Sequence, residues 1–142
     1  MLLRGKRIFI VEDKLNTTAI AQTLLEREGA KVLVERWGIE TPLFLKIYGP
    51  MDLIMLDLTL PGNVSGFDVF NELRQIHQFT RIPVVAVSAA DAATAIPQAQ
   101  ALGFAGFISK PVDLLLFAKQ IERILSGESL WIAAKRNDAE SS

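Results

Sequence analysis

Five polar residues stand where apolar runs end, and their types belong together chemically. Glu12 and Asp13 follow KRIFIV, Asp57 closes LIMLD, Ser88 follows IPVVAV, and Lys110 follows FAGFIS. If the runs are neighbouring parallel strands, all five residues lie on one rim of one sheet. That rim is where open α/β sheets place their ligands. Three carboxylates packed together repel and raise each other's pKa. A hard divalent cation relieves the repulsion. With only oxygen ligands and no His or Cys in the set, the cation would be Mg²⁺ or Mn²⁺ rather than zinc. A metal of that kind binds phosphate. A lysine offers a second, compact charge for phosphate oxygens, a serine offers a hydroxyl donor, and aspartate is a known nucleophile toward phosphoryl groups. The chemistry that uses all the parts is phosphoryl transfer onto Asp57, with metal and lysine stabilising the spread charge. Each residue alone has a plainer reading. Glu12-Asp13 and Ser88 could cap helices, and Lys110 could be an ordinary solvated lysine. The coincidence at four strand ends favours the chemistry.

The elements that must position these groups can be read from periodicity. Lys6–Val11, Lys31–Glu35, Asp52–Asp57, Ile82–Val87 and Phe104–Ile108 read as short strands, mostly apolar without alternation, as expected for strands buried on both faces. Between them lie helical patterns over Leu15–Glu28, Ile39–Tyr48, Ser65–Gln78 and Asp91–Leu102, and a last helix is predicted over Val112–Leu125 with Leu115, Leu116, Ile121, Ile124 and Leu125 toward the core. Pro97 falls inside the fourth pattern, so that helix is expected either to start late, near Ala95, or to kink. Strands alternating with helices imply an α/β fold with a doubly wound parallel sheet of five strands and five helices.

The chain has 142 residues, half of them hydrophobic, with a net charge of -1 and no cysteine. This is one globular domain with a proper core. Neutrality gives no electrostatic reason to bind nucleic acid or an anionic membrane. The lack of cysteine excludes disulfides, thiolate zinc sites and cysteine nucleophiles and suits a reducing cytosol, so a cytoplasmic location is expected. The apolar segment near the N-terminus is too short for a signal peptide. No run reaches the roughly 18 apolar residues of a membrane span.

The motifs FIVEDKLN, MLDLTLPG, VVAVSA and ALGFAGFISKP, with the intervals between Asp13, Asp57, Ser88 and Lys110, resemble the receiver domain of two-component response regulators over about residues 5–126. The resemblance is to single-domain, chemotaxis-regulator-like members. It implies a flavodoxin-like (βα)5 fold with strand order 2-1-3-4-5. It implies that Asp57 accepts a phosphoryl group from a sensor histidine kinase or a histidine phosphotransfer protein. Asp13, Asp57 and the Thr59 backbone carbonyl would ligate Mg²⁺ directly, with Mn²⁺ as the alternative, and Glu12 would act largely through water. Lys110 would pair with the phosphoryl group and Ser88 would swing in to hydrogen-bond it. Phe107 would be the switch aromatic, although on the residues alone it reads as a core ring. Lys110–Pro111 would be a cis peptide. Output would be a changed surface on the fourth helix, fifth strand and fifth helix, read by a downstream protein.

Two departures from the family pattern stand out. Gly66 falls one residue later after Asp57 than is usual, so the loop PGNVSG is longer, and Pro97 is unusual in the fourth helix. That helix is also poor in charge, which argues against the charged dimer pairing of transcription-factor regulators and for a monomer or weak dimer. Residues 1–127 are expected to form the receiver and 128–142 a tail without an output domain. In that tail Leu130-Trp131-Ile132, followed by Lys135-Arg136, could extend the last helix, pack back on the body or dock a partner; packing is the favoured reading. The domain itself would not be an enzyme beyond its own phosphorylation and dephosphorylation. Two alternatives remain: a receiver-shaped scaffold that is not phosphorylated, separable by Mg²⁺-dependent labelling, and an aspartate-nucleophile phosphatase, separable by multiple turnover of a phosphate ester. The latter, haloacid-dehalogenase-like enzymes commonly carry an Asp two residues after the nucleophile, where this chain has Thr59.

Overall fold

The computed structural model describes residues 1–134. Six strands form one sheet: β1 (Arg7–Val11), β2 (Lys31–Glu35), β3 (Leu53–Leu56), β4 (Val84–Ser88), β5 (Gly106–Ser109) and β6 (Leu130–Ile132). Every neighbouring pair is parallel and the order is β2-β1-β3-β4-β5-β6. The helices are α1 (Leu15–Glu26), α2 (Thr41–Tyr48), α3 (Gly66–Arg74), α4 (Ala92–Leu102) and α5 (Phe117–Leu125). Successive strand residues point to opposite faces, and the core divides accordingly. Phe9, Val11, Ile54, Leu56, Val84, Ala86 and Phe107 pack under α2, α3 and α4. Ile8, Ile10, Leu53, Met55, Val85, Val87 and Ile108 pack under α1 and α5. Both faces are covered, so the strands are mostly apolar, with charge only at the ends of β1 and β2.

The sixth strand corrects the expectation of five. Leu130–Ile132 does not extend the last helix; it packs back on the body, the favoured expectation. It joins the outer edge of β5, with Gly106, Phe107 and Ile108 in register with Leu130, Trp131 and Ile132. Leu130 is buried with the α1/α5 core, while Trp131 packs from the edge onto the other one. Lys135 and Arg136 lie outside the described residues.

Helix α5 begins at Phe117, later than the periodicity suggests. Asp113 folds the preceding residues into a turn: its carboxylate accepts the Leu115 and Leu116 N–H groups at 2.9 and 3.1 Å, and its carbonyl accepts those of Leu116 and Phe117. Leu115 is therefore 92% exposed and Leu116 52%, contrary to their expected place in the core, which Phe117, Ile121 and Ile124 fill instead. Helix α4 starts at Ala92, not near Ala95, and continues through Pro97. Asp91 caps it, and Gly103 in the left-handed region ends it. Pro97 removes one donor from the helix but lies on the exposed side, while Ala95 and Ala99 face the core. Among the described residues no helix is long and apolar enough to cross a membrane.

Candidate functional site

The parallel sheet brings the carboxyl ends of β1, β3, β4 and β5 to one edge, and four of the five singled-out side chains meet there. β1 pairs with β3 through Val11 and Leu56, so the residues that follow, Glu12 and Asp57, emerge side by side. The Asp57 N–H donates to the Val11 carbonyl at 3.0 Å and fixes that register one step further. Glu12, Asp13 and Asp57 each place a carboxylate oxygen within 4.8 Å of the other two. Lys110 reaches in from the end of β5. Its Nζ donates to Glu12 Oε2 at 2.6 Å and to Asp57 Oδ2 at 3.2 Å. Asp57 Oδ1 accepts the Thr59 N–H at 3.3 Å, and Glu12 Oε1 accepts the Lys14 N–H at 3.1 Å.

Glu12 and Asp57 are buried, at 1% and 3% exposure. Burial pushes the Glu12 carboxyl above the ordinary glutamate value. The hydrogen bond from Lys110 opposes that rise, and the nearby Asp57 charge adds to it. Three carboxylates against one ammonium leave two formal negative charges at the rim. Asp13 Oδ1 is buried and has no hydrogen-bond partner. An unmatched charge of two and an orphaned oxygen within an all-oxygen donor set fit a hard divalent cation.

Ser88, fully buried, stands one strand over. Its Oγ accepts the Ala90 N–H at 3.2 Å, and its carbonyl accepts the Lys110 N–H at 2.9 Å. It thus shapes the turn into α4, whose cap is Asp91, and is tied to Lys110 through the backbone. Phe107 lies below the rim, fully buried in the core three residues before Lys110. The Lys110–Pro111 peptide bond is cis.

The lengthened loop after Asp57 closes on itself. Thr59 and Ser65 form an antiparallel bridge, and Leu60 N–H donates to Val64 O at 3.0 Å. A 3₁₀ turn over Pro61–Asn63 takes up the extra residue, with Gly62 and Asn63 at positive φ. Gly66 then returns against the end of β3. A Cβ there would lie 2.2 Å from the Asp57 carbonyl oxygen and 2.7 Å from Leu58 Cα. The longer loop leaves the rim itself in place.

Sequence reasoning passed over Glu35, although it too is an acid ending a strand. It is buried, but it serves the neighbouring loop: its carboxylate accepts the Trp37 and Gly38 N–H groups at 2.9 and 2.5 Å and the Thr41 hydroxyl. Its carbonyl accepts the Glu12 N–H at 3.1 Å, steadying the acid pair from behind. The pattern of acids at strand ends would have found Glu35; its register, beside Val11 and one step short of Glu12, and the direction of its side chain separate it from the cluster.

Comparison with known proteins identifies the family. The model of the response regulator receiver domain family matches residues 8–122. The chain is 31% identical over 120 residues to the polar-differentiation response regulator DivK of Brucella ovis, covering 84% of this chain and 96% of that protein. Among solved structures, the Mn²⁺-bound form of response regulator Rcp1 is similar with a TM-score of 0.71 and 26% identity, over 87% of this chain and 94% of that one. The phosphorylated cyanobacterial phytochrome response regulator RcpA has a TM-score of 0.74 and 28% identity, over 86% and 94%. Receiver domains bind a divalent metal at such an acidic cluster, interact with histidine kinases and downstream targets, and are generally not classical enzymes. The chain belongs to the response regulator receiver domain family and is a receiver of two-component phosphorelay signalling.

Proposed function

We propose that Asp57 is the phosphoryl acceptor of this receiver. The observation that carries the reading is the buried Asp57 carboxylate, hydrogen-bonded to Lys110 and within reach of Glu12 and Asp13. A carboxylate oxygen of Asp57 attacks the phosphorus of a phosphohistidine on a sensor kinase or phosphotransfer protein. The new P–O bond forms as the P–N bond breaks, and the histidine nitrogen leaves with the electron pair. Lys110 Nζ, already between Glu12 and Asp57, pairs with a phosphoryl oxygen. The Ser88 hydroxyl turns from the Ala90 N–H to donate to another. Asp13, Asp57 and the Thr59 carbonyl would hold Mg²⁺, or Mn²⁺ in its place, with Glu12 acting through water. When bound, that cation neutralises charge on the transferring group. A Mn²⁺-bound and a phosphorylated relative support these two halves of the reading.

Release of the phosphoryl group runs by water attack at the same site, so no free metabolic product is made. The alternative phosphatase reading gains no support, since Thr59 occupies the position where an acid would be needed. Phe107 carries the change at the rim to the α4–β5–α5 surface, and a downstream protein reads it as a population shift. We place the protein in the cytoplasm, as a monomer or weak dimer without direct contact to nucleic acid or membrane.

The test is intact-protein mass after incubation with acetyl phosphate, with and without Mg²⁺, beside Asp57→Asn. One Mg²⁺-dependent phosphoryl adduct, absent in the variant, is the expected result. An adduct that survives in Asp57→Asn would assign the acceptor elsewhere. No adduct, together with no beryllofluoride binding, would leave the unphosphorylated scaffold.

A further inference from the structure

The sixth strand places a large ring beside the switch residue. Partners in a parallel ladder share a face, and on the face under α2, α3 and α4 one row runs Leu56, Ala86, Phe107, Trp131 across β3, β4, β5 and β6. Phe107 is therefore flanked by the smallest side chain of the row on its inner side and the largest on its outer side. Ser88 lies two residues beyond Ala86 on the same strand, hence on the same face, directly toward the rim. β6 comes this close because residue 106 is glycine: a Cβ there would lie 2.6 Å from the Leu130 carbonyl oxygen. Phe107 is fully buried, whereas Trp131 is only partly so.

If Ser88 turns toward a phosphoryl group on Asp57, the space it gives up lies on the shared face two residues rimward of Ala86, diagonal to Phe107 on its inner side. A phenyl ring on an uncovered edge strand could lie on either side, and only the inner placement suits the phosphorylated rim. We propose that Trp131 is a positioning residue for phosphoryl binding: by filling the outer edge of β5 it confines the Phe107 ring to the inner side, so that the site takes up a phosphoryl group without first having to move the ring. The inference rests on Asp57 being the acceptor. Its energetic basis is population: apparent affinity falls in proportion to the fraction of molecules in the competent arrangement.

The experiment measures beryllofluoride affinity by titration at saturating Mg²⁺, and Mn²⁺ affinity alone, for the full chain. Trp131→Ala is expected to weaken beryllofluoride binding roughly two- to tenfold and to leave Mn²⁺ binding unchanged, since the carboxylates are untouched. Trp131→Phe should restore most of the affinity. In a Phe107→Ala background, with no ring to confine, adding Trp131→Ala should change nothing. Should Trp131→Ala melt below the assay temperature, Trp131→Leu serves instead. Unchanged beryllofluoride affinity in a folded variant overturns the proposal. So does a loss that persists in the Phe107→Ala background or extends to Mn²⁺, either of which indicates general loosening. If the parent protein binds no beryllofluoride and takes no phosphoryl group, the acceptor reading falls and this inference with it.

Discussion

Glu12 is 2.6 Å from the Lys110 ammonium, yet its carboxyl is raised above the ordinary glutamate value because burial outweighs the pairing. The linkage has a definite sign. The folded protein keeps this proton to higher pH than the unfolded chain, so Glu12's contribution to stability is complete below the unfolded value. It is lost as pH rises through the folded value. Urea unfolding across that interval, without divalent cations, should show stability falling with pH in the parent and a flatter profile in Glu12→Gln. Parallel profiles would count against burial as the dominant cause. The same cost explains the fit to a cation: a site that is destabilised by its own charge gains most from one. Which residues carry the charge was legible in the sequence, because acids behind apolar runs are unusual in number here. That Glu35 turns away to hold the loop over Trp37–Thr41 was not, since this depends on a register that sets Glu35 beside Val11, one step short of Glu12.

Among the elements, the loop from β3 to α3 and helix α4 depart from the expected pattern, and both are locally repaired. Gly66 has no room for a side chain against the backbone of Asp57 and Leu58. Gly66→Ala should cost roughly 2–4 kcal/mol in urea unfolding and should also lower phosphorylation, because the atom it would strike belongs to Asp57. A variant as stable and as readily labelled as the parent would show that the loop gives way freely. In α4, Pro97 gives up one helical hydrogen bond. Pro97→Ala should stabilise the protein by about 1–3 kcal/mol; a loss instead would mean that the ring packs usefully or that α4 needs its present shape. The sequence marked Pro97 as a problem and left late start and kink open. The Asp91 cap, with Ala95 and Ala99 packed on the sheet, carries the helix through from Ala92. The late start of α5 follows from Asp113, whose carboxylate binds the Leu115 and Leu116 N–H groups and holds the residues ahead of Phe117 in a turn.

For the whole molecule, β6 is the feature that changes the picture of a five-stranded receiver. Leu130 is 9% exposed and belongs to the α1/α5 core. Leu130→Ala should therefore cost roughly 2–3 kcal/mol in urea unfolding, whereas a change near zero would mean that the strand contributes little to the fold. The class of fold was legible in the chain, since short apolar runs alternating with helical periods have few solutions other than a parallel sheet covered on both faces. The sequence also indicated which polar side chains meet at the rim, because strand ends in such a sheet all point one way. It did not determine where Leu130-Trp131-Ile132 would go. Three apolar residues behind a helix cap carry no periodicity of their own, and their place depends on a partner far away in the chain: the open edge of β5, with a glycine at residue 106 that lets a strand approach. Long-range pairing of that kind exists only once the sheet is assembled, and so does the row that sets Trp131 against Phe107.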